Sequence, residues 1–179
     1  MEAIKPCREY LESYLEACIE CVGHIHEDYI MHKPEKFDEW KDTIFETYDN
    51  HEKGINLPEG FIPNATRWIV DNGRYIGTIN IRLELTPQLQ NYGGHLGVII
   101  RFSERGKGYG RFAQKALLTE AKKFGIEKAL VTVLESNTKS INMCETSPYC
   151  EMDTIETMID GKMQKVRRFW FDLNTLIQN

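Results

Sequence analysis

The chain has 179 residues, which suffices for one domain of ordinary size and falls short of two full ones. Its formal net charge of -5 argues against duplex nucleic acid as a partner, because neutralising phosphates requires a basic face. The same charge is compatible with a small basic substrate. We therefore predict a single domain over residues 1–179 without a nucleic-acid partner.

Targeting signals and cysteine usage favour a cytoplasmic protein. Residues 1–6 lack the apolar run of a signal peptide, and no stretch approaches the roughly 18 consecutive apolar residues of a membrane span. The cysteines are odd in number and scattered, which does not suggest a secreted disulfide framework. They are Cys7, Cys18, Cys21, Cys144 and Cys150.

The first third of the chain predicts mostly helix. After a short strand at residues 3–5, amphipathic helices are predicted over residues 6–25 and 34–48. Residues 54–63 predict a loop, because glycines and prolines interrupt them. The apolar stripe of the first helix comprises Leu11, Leu15, Cys18, Val22 and Ile25.

The middle of the chain predicts strands around one long helix. The strand-like segments are residues 65–70, 75–85, 95–101 and 128–133. Asp71-Asn72-Gly73 is a strong hairpin signal, whereas residues 88–94 predict a loop. A helix is predicted over residues 108–124, and Gly125 provides its stop.

The last segment predicts a short helix and a hairpin. The helix covers residues 137–146 and ends before Pro148. Two strands follow at residues 152–159 and 163–173, joined by the turn dipeptide Asp160-Gly161. This order of elements predicts a mixed α+β fold around one sheet.

A glycine-rich turn, residues 105–110 with the sequence Arg-Gly-Lys-Gly-Tyr-Gly, separates a predicted strand from the long helix. Its three glycines allow a ligand to approach the backbone closely. The following helix offers unpaired N–H groups and a positive dipole end. Arg105, Lys107 and Arg111 add positive charge, so the turn predicts a pyrophosphate site.

Other glycine-rich nucleotide motifs fit this turn poorly. A Rossmann fingerprint fails, because the third glycine comes one residue early, and a P-loop fails for lack of the Gly-Lys-Ser/Thr ending. On the residues alone, a tight strand-to-helix connection without a ligand stays open.

The pattern Arg/Gln-x-x-Gly-x-Gly/Ala resembles the acetyl-CoA signature of the GNAT superfamily of N-acetyltransferases. It falls on Arg105, Gly108 and Gly110. Residues 91–110 as a whole resemble a group of small bacterial predicted acetyltransferases within that superfamily. Similar segments are residues 79–82, Asn137-x-x-Ser140 and residues 167–172, so the resemblance spans roughly residues 67–173.

This resemblance implies a three-layer GNAT fold with a mixed, mostly antiparallel sheet, a splayed parallel strand pair and flanking helices. It also implies a homodimer, and direct transfer of acetyl from acetyl-CoA to a primary amine of a small-molecule or peptide acceptor. The cofactor contacts that it implies are Val98, Ile99, Ile100, Arg101, Arg105, Gly106, Lys107, Gly108, Tyr109, Gly110, Arg111, Asn137 and Ser140.

The catalytic groups are less defined by the resemblance. His95 is our candidate base, because it starts the splayed strand near where relatives often carry a glutamate; a structural role for it stays open. Glu84 is the alternative base. The tyrosine that often protonates the leaving thiolate is replaced here by Cys144, so Tyr149 or an unaided thiolate departure takes its place.

Two rival functions and one rival site complete the predictions. The missing tyrosine favours a catalytically weakened GNAT-fold module that binds acyl-CoA as a sensor or assembly subunit. A nucleotide-binding protein with an accidental glycine-rich turn is the third reading. Cys18 and Cys21, with His24 and His26, suggest a metal site superficially, but both cysteines continue the apolar helix face, so we predict packing and no metal.

Overall fold

The structure is a computed structural model that describes residues 1–24, 32–147 and 150–175, and for Cys150 the backbone alone. The chain divides into two units. Unit 1 comprises Met1–Asn80 and Val98–Ala113, and unit 2 comprises Ile81–Gly97 and Gln114–Asn179. The single domain predicted over the whole chain stays a prediction.

The first four strands form one sheet in the order β1-β2-β3-β4. They are β1 (Glu2–Ile4), β2 (Asn64–Asp71), β3 (Arg74–Arg82) and β4 (Leu96–Ile100). The hairpin predicted between β2 and β3 is confirmed, with Asn72 and Gly73 both at positive φ. β3 ends at Arg82, earlier than predicted, because residues 83–84 bend toward a short helix.

The N-terminal helices are shorter than predicted. They are α1 (Leu11–Cys21), α2 (Phe37–Trp40) and α3 (Ile44–Lys53), and single 3₁₀ turns precede α1 and α2. The predicted helix over residues 34–48 is therefore interrupted after Trp40. Because α1 ends at Cys21, Val22 is 58% exposed and leaves the predicted stripe; Ile25 lies outside the described residues.

An aromatic cluster forms the core of unit 1. Tyr14 of α1 stacks on Trp68 of β2 at a ring-centroid distance of 4.6 Å. Tyr75 of β3 meets Tyr14 edge-on at 5.0 Å. Each such pair contributes about 1 kcal/mol beyond its buried area. Leu11 and Ile44 complete the cluster, so this core holds α1 and α3 on the sheet.

The remaining strands form a separate antiparallel sheet in the order β5-β7-β6. They are β5 (Lys128–Leu134), β6 (Cys150–Ile159) and β7 (Lys162–Asp172). The strands that the sequence predicts around one sheet thus form two ladders, and β5 is an edge of the second. An apolar run indicates burial but does not fix a strand's place in the ladder.

Three further helices accompany these strands: α4 (Pro87–Asn91), α5 (Tyr109–Lys123) and α6 (Thr138–Glu145). The loop predicted over residues 88–94 thus begins as helix α4. Thr86 caps it by accepting from Leu89 N–H, and Pro87 suits its first position. No helix in the described ranges has the length and apolar character to cross a bilayer, and a cytoplasmic location stays a prediction.

Candidate functional site

The open edge of β4 lies in unit 1. β4 is the last strand of its sheet, so the outer backbone edge of Val98–Ile100 has no ladder partner in the described part of the chain. The side chains of Val98, Ile99 and Ile100 are partly exposed, whereas Leu96 is buried. Such an edge offers alternating N–H and C=O groups to an extended ligand that carries amides.

Gly77 of β3 allows the close approach of β4, and the sequence analysis missed it. A Cβ atom added at Gly77 would lie 2.4 Å from the Ile99 carbonyl oxygen and 3.2 Å from Ile100 Cα. Only glycine therefore fits here without displacing the β4 backbone. An isolated glycine inside a strand pattern is the sequence signal that indicates such an approach.

Arg101 anchors the end of β4 to α1. Its side chain is 2% exposed, and its guanidinium donates to Glu20 at 2.9 Å and to Glu16 at 3.0 Å. Its backbone N–H donates to the Ile76 carbonyl at 2.8 Å. These groups are occupied within unit 1, so we do not retain Arg101 as a cofactor contact. Through its bonds to α1, Arg101 instead positions the turn that follows β4.

Glu20 is held ionised by this anchor. Partial burial raises its pKa, but hydrogen bonds from Arg101 and Ser103 outweigh that effect and lower it to about 2. The Ser103 N–H donates to Glu20 Oε2 at 3.3 Å. One carboxylate of α1 therefore binds both the side chain that follows β4 and the backbone that leads to the glycine-rich turn.

Replacing Arg101 is expected to destabilise the protein in a pH-dependent way. At pH 7, Arg101→Met removes the hydrogen-bonded partner of Glu20, and because Glu20 is partly exposed the cost is about 1–2 kcal/mol. Because the folded-state pKa of Glu20 is depressed, the ion pair stabilises above the unfolded value near ~4.3, and this is lost as the pH falls toward 2. Urea unfolding at several pH values should show the difference from the parent narrowing between about pH 4 and pH 2.

Arg8→Met is the matched control for that measurement, since Arg8 pairs with Asp42 while both side chains are largely exposed. We expect its effect to stay below about 0.5 kcal/mol. A destabilisation of Arg101→Met that is equal at pH 7 and pH 2 would contradict the ionic role of Arg101.

The glycine-rich turn follows a 3₁₀ turn at Phe102–Glu104 and leads directly into α5. Gly106 and Gly108 have φ values of 80° and 90°, and a Cβ added at either would meet no atom within 4 Å. The turn therefore has open space beside its backbone. The first N–H groups of the 15-residue helix α5 have no intrahelical acceptor, which favours an anion at this end.

An acidic side chain lies directly before this basic turn. Glu104 is 4% exposed and accepts from Lys107 Nζ at 3.0 Å and from Arg74 at 3.4 Å. The Arg105 Nε donates to the Ile100 carbonyl at 3.1 Å. Of the predicted basic contacts, Lys107 is thus partly neutralised by Glu104, while Arg111 is exposed on the first turn of α5. Sequence analysis did not single out Glu104.

Tyr109 links the start of α5 to the end of β2. Its hydroxyl donates to Asp71 Oδ2 at 3.2 Å, at the end of β2. The predicted anion site, from Arg105 to Arg111, therefore lies in unit 1 with the open edge of β4. His95, Glu84, Asn137 and Ser140, which the sequence also predicts as functional, belong to unit 2.

His95, the candidate base, is nearly buried at 9% exposure. Its backbone N–H donates to the Leu130 carbonyl at 2.8 Å, and its ring Nδ1 accepts from the Leu130 backbone N–H at 3.0 Å. Burial, with the nearby charge of Arg82, lowers the pKa of His95. The imidazole is therefore neutral at pH 7 and engaged with a β5 residue.

Glu84 is the other predicted base. Glu84 is exposed in the bend beyond β3, and is not on the hairpin strand as predicted. Tyr149 lies outside the described residues. Cys144 is buried on α6, as expected for a packing residue. Asn137 caps α6, because its Oδ1 accepts from Ser140 N–H at 3.2 Å.

The cysteine pair of α1 packs in the core. Cys18 and Cys21 are both buried, and burial raises the pKa of Cys18 to about 12. The structure contains no group of three or more potential metal ligands in residues 1–24, 32–147 and 150–175. His26 lies outside those ranges.

The class of protein follows from comparison with known families. The model of the acetyltransferase (GNAT) family matches residues 24–146, which is more than half of the chain. The chain therefore belongs to this family, whose enzymes use acetyl-CoA as co-substrate. A search of curated proteins finds no significant sequence match.

Solved structures support the α+β GNAT fold that the sequence predicts. The spermidine N-acetyltransferase from Vibrio cholerae, solved with CoA and spermine, is 18% identical with a TM-score of 0.66, over 99% of this chain and 98% of that one. A ribosomal-protein alpha-N-acetyltransferase, RimL, solved with coenzyme A, is 12% identical with a TM-score of 0.62, over 94% and 91%. At these identities the likeness shows the fold.

Proposed function

We propose that this chain transfers the acetyl group of acetyl-CoA to a primary amine by direct attack in a ternary complex. The observation that carries the proposal is the glycine-rich turn in a GNAT-family chain. It combines open space at Gly108, the N-terminus of α5 and the exposed side chains of Arg105 and Lys107. These features suit the pyrophosphate of acetyl-CoA.

The turn and β4 divide the binding of the co-substrate between them. The N–H groups of Gly108, Tyr109 and Gly110 bind phosphate oxygens, and Arg105 and Arg111 supply positive charge. The open backbone edge of Val98–Ile100 bonds the amides of the pantetheine arm. Together they hold the thioester in place, which accounts for much of the rate in a two-substrate reaction.

The chemical step needs an oxyanion donor and a proton acceptor. A backbone N–H of β4 stabilises the oxyanion formed when the amine attacks the thioester carbonyl, a contribution of about 3 kcal/mol. Glu84 is the proposed base, because His95 Nδ1 already accepts from the Leu130 N–H, and Tyr149 or an unaided thiolate departure completes the transfer.

The proposed acceptor is a cationic amine. The net charge of -5 favours a cationic acceptor over an acidic one. The named relatives of similar fold acetylate spermidine and the alpha-amine of a ribosomal protein. We therefore propose a polyamine or a peptide amine as the acceptor, and a homodimer as the assembly that the family resemblance implies.

An acceptor panel tests the function. Thiol release from acetyl-CoA is measured with spermidine, spermine, a peptide with a free alpha-amine and a lysine peptide blocked at its N-terminus. We expect release with one class, accompanied by the same amount of acetylated amine by mass spectrometry. Binding of acetyl-CoA without release on any amine would replace the proposal by the acyl-CoA-binding sensor or assembly module.

The negative charge of Glu104 is expected to weaken the binding of the anionic co-substrate, and its removal should strengthen that binding. In Glu104→Gln, Lys107 loses its counter-charge and the turn becomes more positive, which at an effective dielectric near 20 contributes about 1 kcal/mol or fivefold tighter CoA binding. Calorimetry with CoA and with pantetheine, which lacks the phosphates, separates this effect from a change of shape. Weaker binding of both ligands would show instead that Glu104 holds the turn in place.

A further inference from the structure

The two residues before His95, Gly93 and Gly94, are held by hydrogen bonds between their backbone groups and other residues of unit 2. Gly93 N–H donates to Thr132 Oγ1 at 2.8 Å, and Gly94 N–H donates to the Leu89 carbonyl at 2.8 Å. The Arg82 guanidinium donates to the Gly93 carbonyl at 2.9 Å and to the Gly94 carbonyl at 3.3 Å. The chain therefore reaches His95 in a fixed position.

His95 continues this pattern with its side chain. Its backbone carbonyl accepts from Arg82 N–H at 2.7 Å, and its N–H donates to the Leu130 carbonyl. The Leu130 N–H, which in a regular ladder donates to a backbone carbonyl, donates to His95 Nδ1 instead. Both backbone groups of Leu130 are thus satisfied by one histidine.

The hydrogen bond fixes which ring nitrogen carries the proton. Nδ1 accepts from an amide N–H, so its lone pair is occupied, and the neutral ring carries its proton on Nε2. A general base needs a free lone pair directed at the amine. His95 has none while Leu130 is bound. Protonation at Nδ1 would break the hydrogen bond from Leu130. The positive charge of Arg82 also opposes this protonation.

We propose that His95 is a positioning residue, whose Nδ1 replaces a backbone carbonyl at Leu130 and fixes the chain immediately before β4. The role rests on the proposed function, because the open edge of β4 is where the pantetheine arm is proposed to bind. A strand that is loosened at the residue before it can shift along its neighbour, and a shift of one residue turns every side chain to the other face.

The substitution His95→Asn separates positioning from base catalysis. The asparagine Oδ1 takes nearly the place of Nδ1 and accepts the Leu130 N–H, but it cannot titrate. We expect His95→Asn to keep kcat/KM within about threefold of the parent, with an unchanged pH profile, and His95→Ala to lower it about tenfold with the same profile. An equal loss of about 100-fold or more in both variants, with the acidic limb of the profile removed, would show that His95 is the base.

A second readout needs no activity. Hydrogen exchange of the Leu130 amide is expected to stay protected in His95→Asn and to become about tenfold faster in His95→Ala. Equal exchange in the two variants would overturn the positioning role. His51→Asn, at a histidine of α3 in the other unit, is the control and should change neither readout. If the parent acetylates no amine, the exchange result still decides whether His95 holds Leu130, so the two proposals fail separately.

Discussion

Gly108→Trp abolishes acetyl-CoA binding while the chain remains folded. Gly108 has open space beside it, and the proposal places the pyrophosphate in that space. An indole there excludes the phosphates from the first N–H groups of α5. We expect the dissociation constant to rise at least about 100-fold, which corresponds to losing roughly 3 kcal/mol of phosphate contacts. Calorimetry with acetyl-CoA measures it, and circular dichroism checks the fold.

Gly125→Trp is the matched control for strain. Gly125 has a φ of 77° and no atom near an added Cβ, like Gly108, but it follows the C-terminal end of α5. Both variants place a side chain at positive φ, which costs about 1–2 kcal/mol of stability. The control should therefore share the loss of stability and keep its affinity. Normal affinity in a folded Gly108→Trp variant would refute the position of the anion site.

Gly77→Ala is expected to damage stability and transfer together. The added methyl group lies 2.4 Å from the Ile99 carbonyl oxygen, so β4 has to move away from β3. Overpacking of this kind costs about 3 kcal/mol. Because Ile99 belongs to the edge that is proposed to bind pantetheine, kcat/KM for acetyl-CoA should fall about tenfold or more in the folded fraction. Urea unfolding and steady-state kinetics measure the two effects.

Gly97→Ala, in β4 itself, is the control for Gly77→Ala. An added Cβ at Gly97 meets no atom within 4 Å, and its φ is not positive. We expect its stability to change by less than about 0.5 kcal/mol. A Gly77→Ala variant as stable as Gly97→Ala would show that β4 can move away from β3 at little cost. Gly77 would then not determine the position of β4.

Local signals in the sequence predicted most elements of the fold. The helix predicted over residues 108–124 is α5, and both hairpin turns lie where Asp71-Asn72-Gly73 and Asp160-Gly161 indicated. The periodicity failed where tertiary contacts decide. Val22 continues an apolar spacing but lies beyond the end of α1 and is exposed. Periodicity reports a face and not its partner.

The candidate site was predicted in outline by one motif. Glycine spacing and a following helix indicated an anion site at residues 105–110, because those features act locally. The contacts that modulate the site join distant residues: Glu20 with Arg101, Glu104 with Arg74, and His95 with Leu130. Only the folded chain brings them together. His95 shows the consequence, because its residue type suggested a base while its hydrogen bond indicates an anchor.

Calorimetric titration of the unmodified chain with acetyl-CoA tests the central claim most directly, with ATP and NAD as comparison ligands. The proposal predicts one saturable site for acetyl-CoA in the range of about 1–100 µM, typical of an enzyme's co-substrate, and no saturable binding of ATP or NAD. Absence of binding at millimolar acetyl-CoA, or equal binding of the two nucleotides, would contradict the assignment of the glycine-rich turn and the acetyl transfer built on it.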